Sequence, residues 1–200
     1  MIDYSIISDS ISFYQKKSYV RIESPWTVTS EIAEITKPTE VPLEWKLNYN
    51  GKVLVASGEQ SFLYLNLKGF LPPGRYQSTT PCFRSDQFDQ LHTKYFIKNE
   101  LIVTDIVNST LVESMAEQAM EFFAKYIPKE IIKLVRVETR NTTSMKELCA
   151  FDVVACIDGK EIELGSYGMR ECSFLKWAYG TGCAEPRLSH VIKQVNLACL

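Results

Sequence analysis

The chain lacks most of the short signatures that would announce its chemistry. Its six cysteines, Cys82, Cys149, Cys156, Cys172, Cys183 and Cys199, contain no CxxC pair, so their spacing does not argue for zinc. No GxxxxGK[ST] and no GxGxxG occurs, so neither a P-loop nor a Rossmann site is indicated. No apolar run reaches about 18 residues, so no membrane-spanning helix is expected. The opening residues MIDYSIISDS carry two acids and no basic stretch, which argues against a signal peptide. A cytoplasmic protein with reduced thiols is the expectation, and the sequons at Asn108 and Asn141 then carry no meaning. Basic charge is also scarce. Lys and Arg total 22 against 24 Asp and Glu, a net charge of −2 and a pI near 5.8, so nothing suggests nucleic-acid binding by charge alone.

What is present is globular. Two hundred residues with 46% hydrophobic and 23% charged side chains fit one domain, residues 1–200, large enough to bury a core. Residues 9–18 read as a short helix capped by Ser8 or Asp9, followed by a strand over 19–23. Residues 28–36 fit either helix or loop. Residues 43–56 read as a hairpin turning at Asn50-Gly51. Residues 59–68 fit either strand or helix. The clearest helix spans about 110–126, opened by the capping-box pattern Thr110-Leu111-Val112-Glu113 and stopped by Pro128. Strands are expected near 131–138 and 148–157, with Asp158-Gly159 turning into another. Pro186 suits the first turn of a C-terminal helix, where His190 reads as structural. Strands joined by hairpin turns, with few helices between them, predict an α+β fold with an antiparallel sheet flanked by helices.

The stretch over residues 81–105 gathers the polar groups. Arg84 and Asp86 end one strand, a polar loop with Asp89 and His92 follows, and Phe96, Lys98 and Glu100 open the next. A hairpin that only held structure would not need so many charges around its loop.

Three segments in order resemble the catalytic core of class II aminoacyl-tRNA synthetases, and the likeness covers almost the whole chain. A helix followed by Lys17 to Pro25 is similar to the family's dimer-interface motif. Phe83-Arg84-Ser85-Asp86, the loop to His92 and then Phe96 resemble the FRxE–loop–HxxxF motif, and look most like the phenylalanyl branch. Gly180-Thr181-Gly182 followed by Arg187 is similar to the glycine-rich strand-to-helix motif that ends in arginine. Between them, the strand with Glu163 resembles the one that supplies a metal-binding acid, and Ser57-Gly58-Glu59 the loop that holds a substrate ammonium.

The resemblance implies an ATP-dependent ligase that joins an amino acid or related carboxylate to AMP. Arg84 would clamp the α-phosphate and the substrate carboxylate. Arg187 would hold the γ-phosphate, with Gly180 and Gly182 letting backbone approach the nucleotide, and Phe96 would stack on adenine. Asp86 and His92 would complete the ATP site. Glu59 would pair with the α-ammonium, with Lys98 and Glu100 beside the substrate. Glu163 and Glu100 would hold Mg²⁺, a hard cation that favours carboxylate oxygen. A homodimer is implied as well. Three positions depart from the family pattern. Cys156 stands seven residues before Glu163 where a second metal-binding acid is common, with Asp152 four residues earlier. Pro186 replaces an acid in the third motif, and Lys98 stands near the phenylalanyl branch's Gln. The sequence shows no anticodon-binding domain or basic arm, so whole tRNA is not expected as the acceptor for this chain alone. Two alternatives remain: an inactive paralogue serving as a binding or regulatory module, or a tRNA synthetase completed by a partner chain.

Overall fold

A computed structural model describes residues 1–37, 51–84 and 95–198. The helices are α1 (Tyr4–Lys16), α2 (Ser30–Thr36), α3 (Gly58–Leu67), α4 (Ser109–Phe123) and α5 (Arg187–Ala198). The strands are β1 (Val20–Arg21), β2 (Thr27–Thr29), β3 (Lys52–Leu54), β4 (Arg75–Phe83), β5 (Tyr95–Val103), β6 (Ile132–Arg136), β7 (Lys146–Ile157), β8 (Lys160–Glu171) and β9 (Lys176–Glu185). Seven strands form one sheet in the order β1-β4-β5-β9-β8-β7-β6. Every neighbouring pair is antiparallel except β1 with β4. The expected α+β architecture is therefore observed. Among the described residues no helix is long and apolar enough to cross a membrane.

One face of the sheet is sealed by α1, α4 and α5. In α4, Val112, Met115, Ala116, Ala119, Phe122 and Phe123 recur at helical spacing and are all fully buried. They meet Leu101, Val153, Leu164, Tyr167 and Ala178 of the strands. Burial of side chains this size stabilises by about 1.5–3 kcal/mol each. On the other face, α2, α3 and the β2–β3 ribbon pack Val28, Ile32, Val53, Phe62 and Leu63 over Ile102 and Trp177. That second layer leaves the middle of the sheet uncovered, and the cavity lies there.

Local chemistry explains where the expected boundaries move. The first helix begins at Tyr4, because Asp3 accepts from the Ser5 amide, and Asp9 lies within it. In α4 the cap is Asn108, whose side chain accepts from Leu111 N at 2.9 Å, not Thr110. Residues 59–67 resolve as helix α3, capped by Ser57. Residues 38–50 lie outside the described part, and with them the first arm of the expected hairpin. The returning segment β3 pairs with β2. Asp158 and Gly159 both have positive φ, as a type I′ turn requires, and join β7 to β8 as expected.

Candidate active site

The cavity has a volume of about 240 Å³ and is floored by β5, β9, β8 and β7. On β5, alternation points Lys98 and Glu100 into it, and Arg84, just after β4, lines it too. On β7 and β8 alternation alone would fail. Glu147 pairs with Arg170 but Cys149 with Met169, so Leu148 is an extra residue. Val153 pairs with Gly165 but Val154 with Glu163, so Leu164 is extra too. Each bulge shifts the parity, and so Glu147 faces the cavity with Ala150 and Asp152, and Glu163 with Ser166 and Arg170.

Glu100 is almost wholly engaged by the protein. It accepts from Ser57 Oγ at 2.5 Å, from the Gly58 amide, and from Lys98 Nζ at 2.8 Å. A Cβ on Gly58 would lie 2.7 Å from Glu100 Oε2, so glycine is what lets the α3 start approach. Glu100 lines the cavity, and its oxygens anchor the loop that carries Glu59. Burial works to raise its pKa, but Lys98, Ser57 and Gly58 together bring it below its ordinary 4.5. Cys82, nearby, is pushed up to about 12 by burial and then by Glu100, so it is an inert thiol. Because the folded pKa of Glu100 is depressed, its contribution to stability is complete above 4.5 and is lost as pH falls through the folded value. Glu100→Gln should therefore be less stable than wild type at pH 7, and the gap should narrow below pH 4.5. Urea unfolding across that range measures it, and a gap that stays constant with pH contradicts this role.

Glu59, at the first turn of α3, sits in a second buried group. Arg170 Nη1 donates to its Oε2 at 2.6 Å and Trp177 Nε1 to its Oε1 at 2.6 Å. Arg170 Nε reaches Glu147 Oε1 at 2.8 Å, and Tyr179 Oη reaches the same oxygen at 2.7 Å. The guanidinium carbon stands 3.9 Å from the Tyr179 ring centre. Burial disfavours the charged form of Arg170, but Glu59, Tyr179 and Glu147 outweigh it and raise its pKa. None of Arg170, Glu147, Trp177 or Tyr179 was singled out in the sequence as a site residue.

Glu163, which lines the cavity, accepts from Arg187 Nη1 at 2.7 Å; neither Arg187 nor Phe96 is among the lining residues. Burial tends to raise the Glu163 pKa, yet Arg187, then Lys98, bring it down. The Glu163 side chain is 43% exposed, so solvent screens this pair. Asp152, opposite Ser166 on the paired strand, has its pKa raised by burial. Cys156 lies further along the same strand and does not line the cavity. Among the described residues no three His, Cys, Asp or Glu side chains form a metal cluster.

The glycines of the third motif have a packing role on the helical face. They lie within β9, and a Cβ on Gly180 would meet Tyr167 at 2.7 Å, while one on Gly182 would meet Tyr14 at 2.8 Å. The space they leave is filled by the protein's own tyrosines on the helical face. Only the Gly180 backbone borders the cavity. Arg84 donates from Nε to Ala56 O at 3.1 Å, and its guanidinium carbon lies 5.2 Å from the Phe96 ring centre. His190 is hydrogen-bonded to Gln194 along α5. Asp86, Asp89 and His92 lie outside the described residues.

No protein-family model matches the chain, and no curated protein matches it by sequence. Solved structures do. The cytoplasmic serine-tRNA ligase of Naegleria fowleri in complex with AMP superposes with a TM-score of 0.74 at 19% identity, over 96% of this chain and 53% of that one. The seryl-tRNA synthetase of Pyrococcus horikoshii complexed with ATP gives 0.68 at 14% identity, over 95% and 49%. The pyrrolysyl-tRNA synthetase of Desulfitobacterium hafniense gives 0.68 at 18%, over 96% and 70%. The chain thus spans about half the length of the two seryl enzymes. The three are seryl and pyrrolysyl enzymes and lend no support to the phenylalanyl likeness of the second motif. At such identities the likeness concerns architecture: the chain has the fold of class II aminoacyl-tRNA synthetase catalytic cores.

Proposed function

We propose that the cavity binds ATP and a small amino acid or related carboxylate, and joins them as an acyl-adenylate. One observation carries this reading: Arg84 and the buried carboxylate Glu59 line the same cavity at different places along the sheet. Lys98 pairs with Ala184 near one end of β9, and Arg170 with Trp177 near the other. Arg84, and Lys98 paired with Glu100, lie toward one end with Asp152 and Glu163, while Glu59 and Glu147 hold Arg170 at the other. A zwitterion laid between them presents its carboxylate to Arg84 and its ammonium to Glu59. The carboxylate is already a nucleophile, so positioning and charge stabilisation suffice and no covalent enzyme intermediate is needed.

Arg84 holds the α-phosphate and the carboxylate, Phe96 carries the adenine, and Arg187 leaves Glu163 to meet the terminal phosphate. For Mg²⁺ the donor set fits. Glu163 and Asp152 supply oxygen, with the Ser166 hydroxyl on the same face, and Glu100 is occupied elsewhere. One or two carboxylates plus substrate phosphate is the usual Mg²⁺ arrangement. Bound there, the ion would neutralise phosphate charge. Calorimetry with Mg-ATP tests the nucleotide part, and a titration without heat or melting shift at millimolar nucleotide overturns it.

The acceptor is proposed to be a small nucleophile or a carrier. Phosphate contacts supply most tRNA affinity, and 22 basic against 24 acidic residues give no excess for it. Charging of bulk tRNA at a rate comparable to adenylate formation would contradict this. A homodimer through α1 and β1 is proposed on the first motif and on the surface there. β1 is a sheet edge with Val20 57% exposed, and Trp26 nearby is 59% exposed. Light scattering at micromolar concentration should give twice the 22.9 kDa chain mass, and the single-chain mass would refute it.

A further inference from the structure

We propose that Arg170 selects the substrate by its side chain, favouring an α-amino acid that carries a neutral hydrogen-bond acceptor, such as a hydroxyl or carboxamide. The inference rests on the reading of the cavity as an amino-acid site. Arg170 spends Nε on Glu147 and Nη1 on Glu59, and Nη2 has no hydrogen-bond partner among the described residues. The sealed polar atoms left without partners there are Tyr19 Oη and Gln118 Oε1. Nη2 is not among them, so it is not sealed, and Arg170 lines the cavity. The guanidinium is held from two sides by carboxylates and from below by the Tyr179 ring, so those donors are fixed in direction.

Charge decides what they accept. Two carboxylates and one guanidinium leave the group at −1, with the three side chains no more than 12% exposed. The substrate's α-ammonium cancels that charge. A side-chain carboxylate would then add an uncompensated anion to a buried, neutral group, and a side-chain ammonium would face donors of its own sign. An apolar side chain would strip water from Nη2 and return no hydrogen bond. A neutral oxygen acceptor meets Nη2 without disturbing the balance.

The test uses near-isosteric pairs. Wild-type protein saturated with Mg²⁺ and a non-hydrolysable ATP analogue is titrated calorimetrically with threonine against valine, asparagine against leucine, and asparagine against aspartate. At least one acceptor-bearing member should bind roughly tenfold or more tighter than its apolar partner, and asparagine tighter than aspartate. Equal binding within the pairs, tightest binding of a charged side chain, or no amino-acid binding with nucleotide bound overturns the selection. Failure of the analogue itself to bind overturns the underlying reading, and the selection with it. Arg170→Lys keeps the charge but loses the fork, so the preference should collapse in it; a preference that survives contradicts the assignment to Arg170. Because that variant can unfold, the guanidinium ¹⁵N resonances of wild-type Arg170 give an independent readout. They should shift with threonine and not with valine.

Discussion

Arg84→Ala should lower amino-acid-dependent exchange of pyrophosphate into ATP by about 10³-fold or more, with little change in melting temperature. The side chain follows β4 and lines the cavity, where Nε is fixed by Ala56 O and the plane faces the Phe96 ring. In the proposed reaction it would meet negative charge that grows on the α-phosphate as the carboxylate attacks. A preorganised donor in a water-poor site is worth about 10²–10³-fold in rate, and a full positive charge on a transferring phosphoryl group about 10³–10⁵-fold. Lysine supplies charge without the planar fork, so Arg84→Lys should recover only a small part. Retention of more than a tenth of wild-type exchange by Arg84→Ala would remove Arg84 from this role.

Glu147→Ala should be the most destabilising of the cavity substitutions, by about 3–5 kcal/mol, the range for breaking a buried charged pair. Glu147 is buried, and its loss strands three donors together: Arg170 Nε, Tyr179 Oη and the Arg140 amide, which reaches it at 2.7 Å. Arg170 would then pull on Glu59 alone. For a chain this size each kcal/mol moves the melting temperature by roughly 2–4 °C, so a fall near 10 °C is expected by calorimetric scan. Glu147→Gln keeps the shape and one acceptor and should fall less. A shift within 2 °C for the alanine variant would mean that the network is not what holds this end of the sheet.

How much of this was legible in the sequence depends on how regular each element is. The α4 stripe, the β4–β5 pair and the Asp158-Gly159 turn follow simple periods or turn chemistry, and the structure has them. Arg84, Lys98, Glu59 and Glu163 were visible because they sit in segments with a family likeness. The Glu147–Arg170–Tyr179 group was not, because its members come from three strands brought together by non-local pairing. The Leu148 and Leu164 bulges invert the alternation on which a strand reading depends. For Gly180 and Gly182 the family likeness implies backbone close to a nucleotide. Which neighbour approaches is a matter of packing, and here it is Tyr167 and Tyr14. The contacts of Glu100 are not legible in sequence, because only the fold brings Ser57 and Gly58 onto it.

The most direct test is pyrophosphate exchange by the wild-type protein, screened across the common amino acids with Mg-ATP and labelled pyrophosphate. Formation of an adenylate predicts label in ATP that depends on at least one amino acid and disappears with Arg84→Ala. A folded protein that binds Mg-ATP yet passes no label into ATP with any of them would contradict the adenylating function.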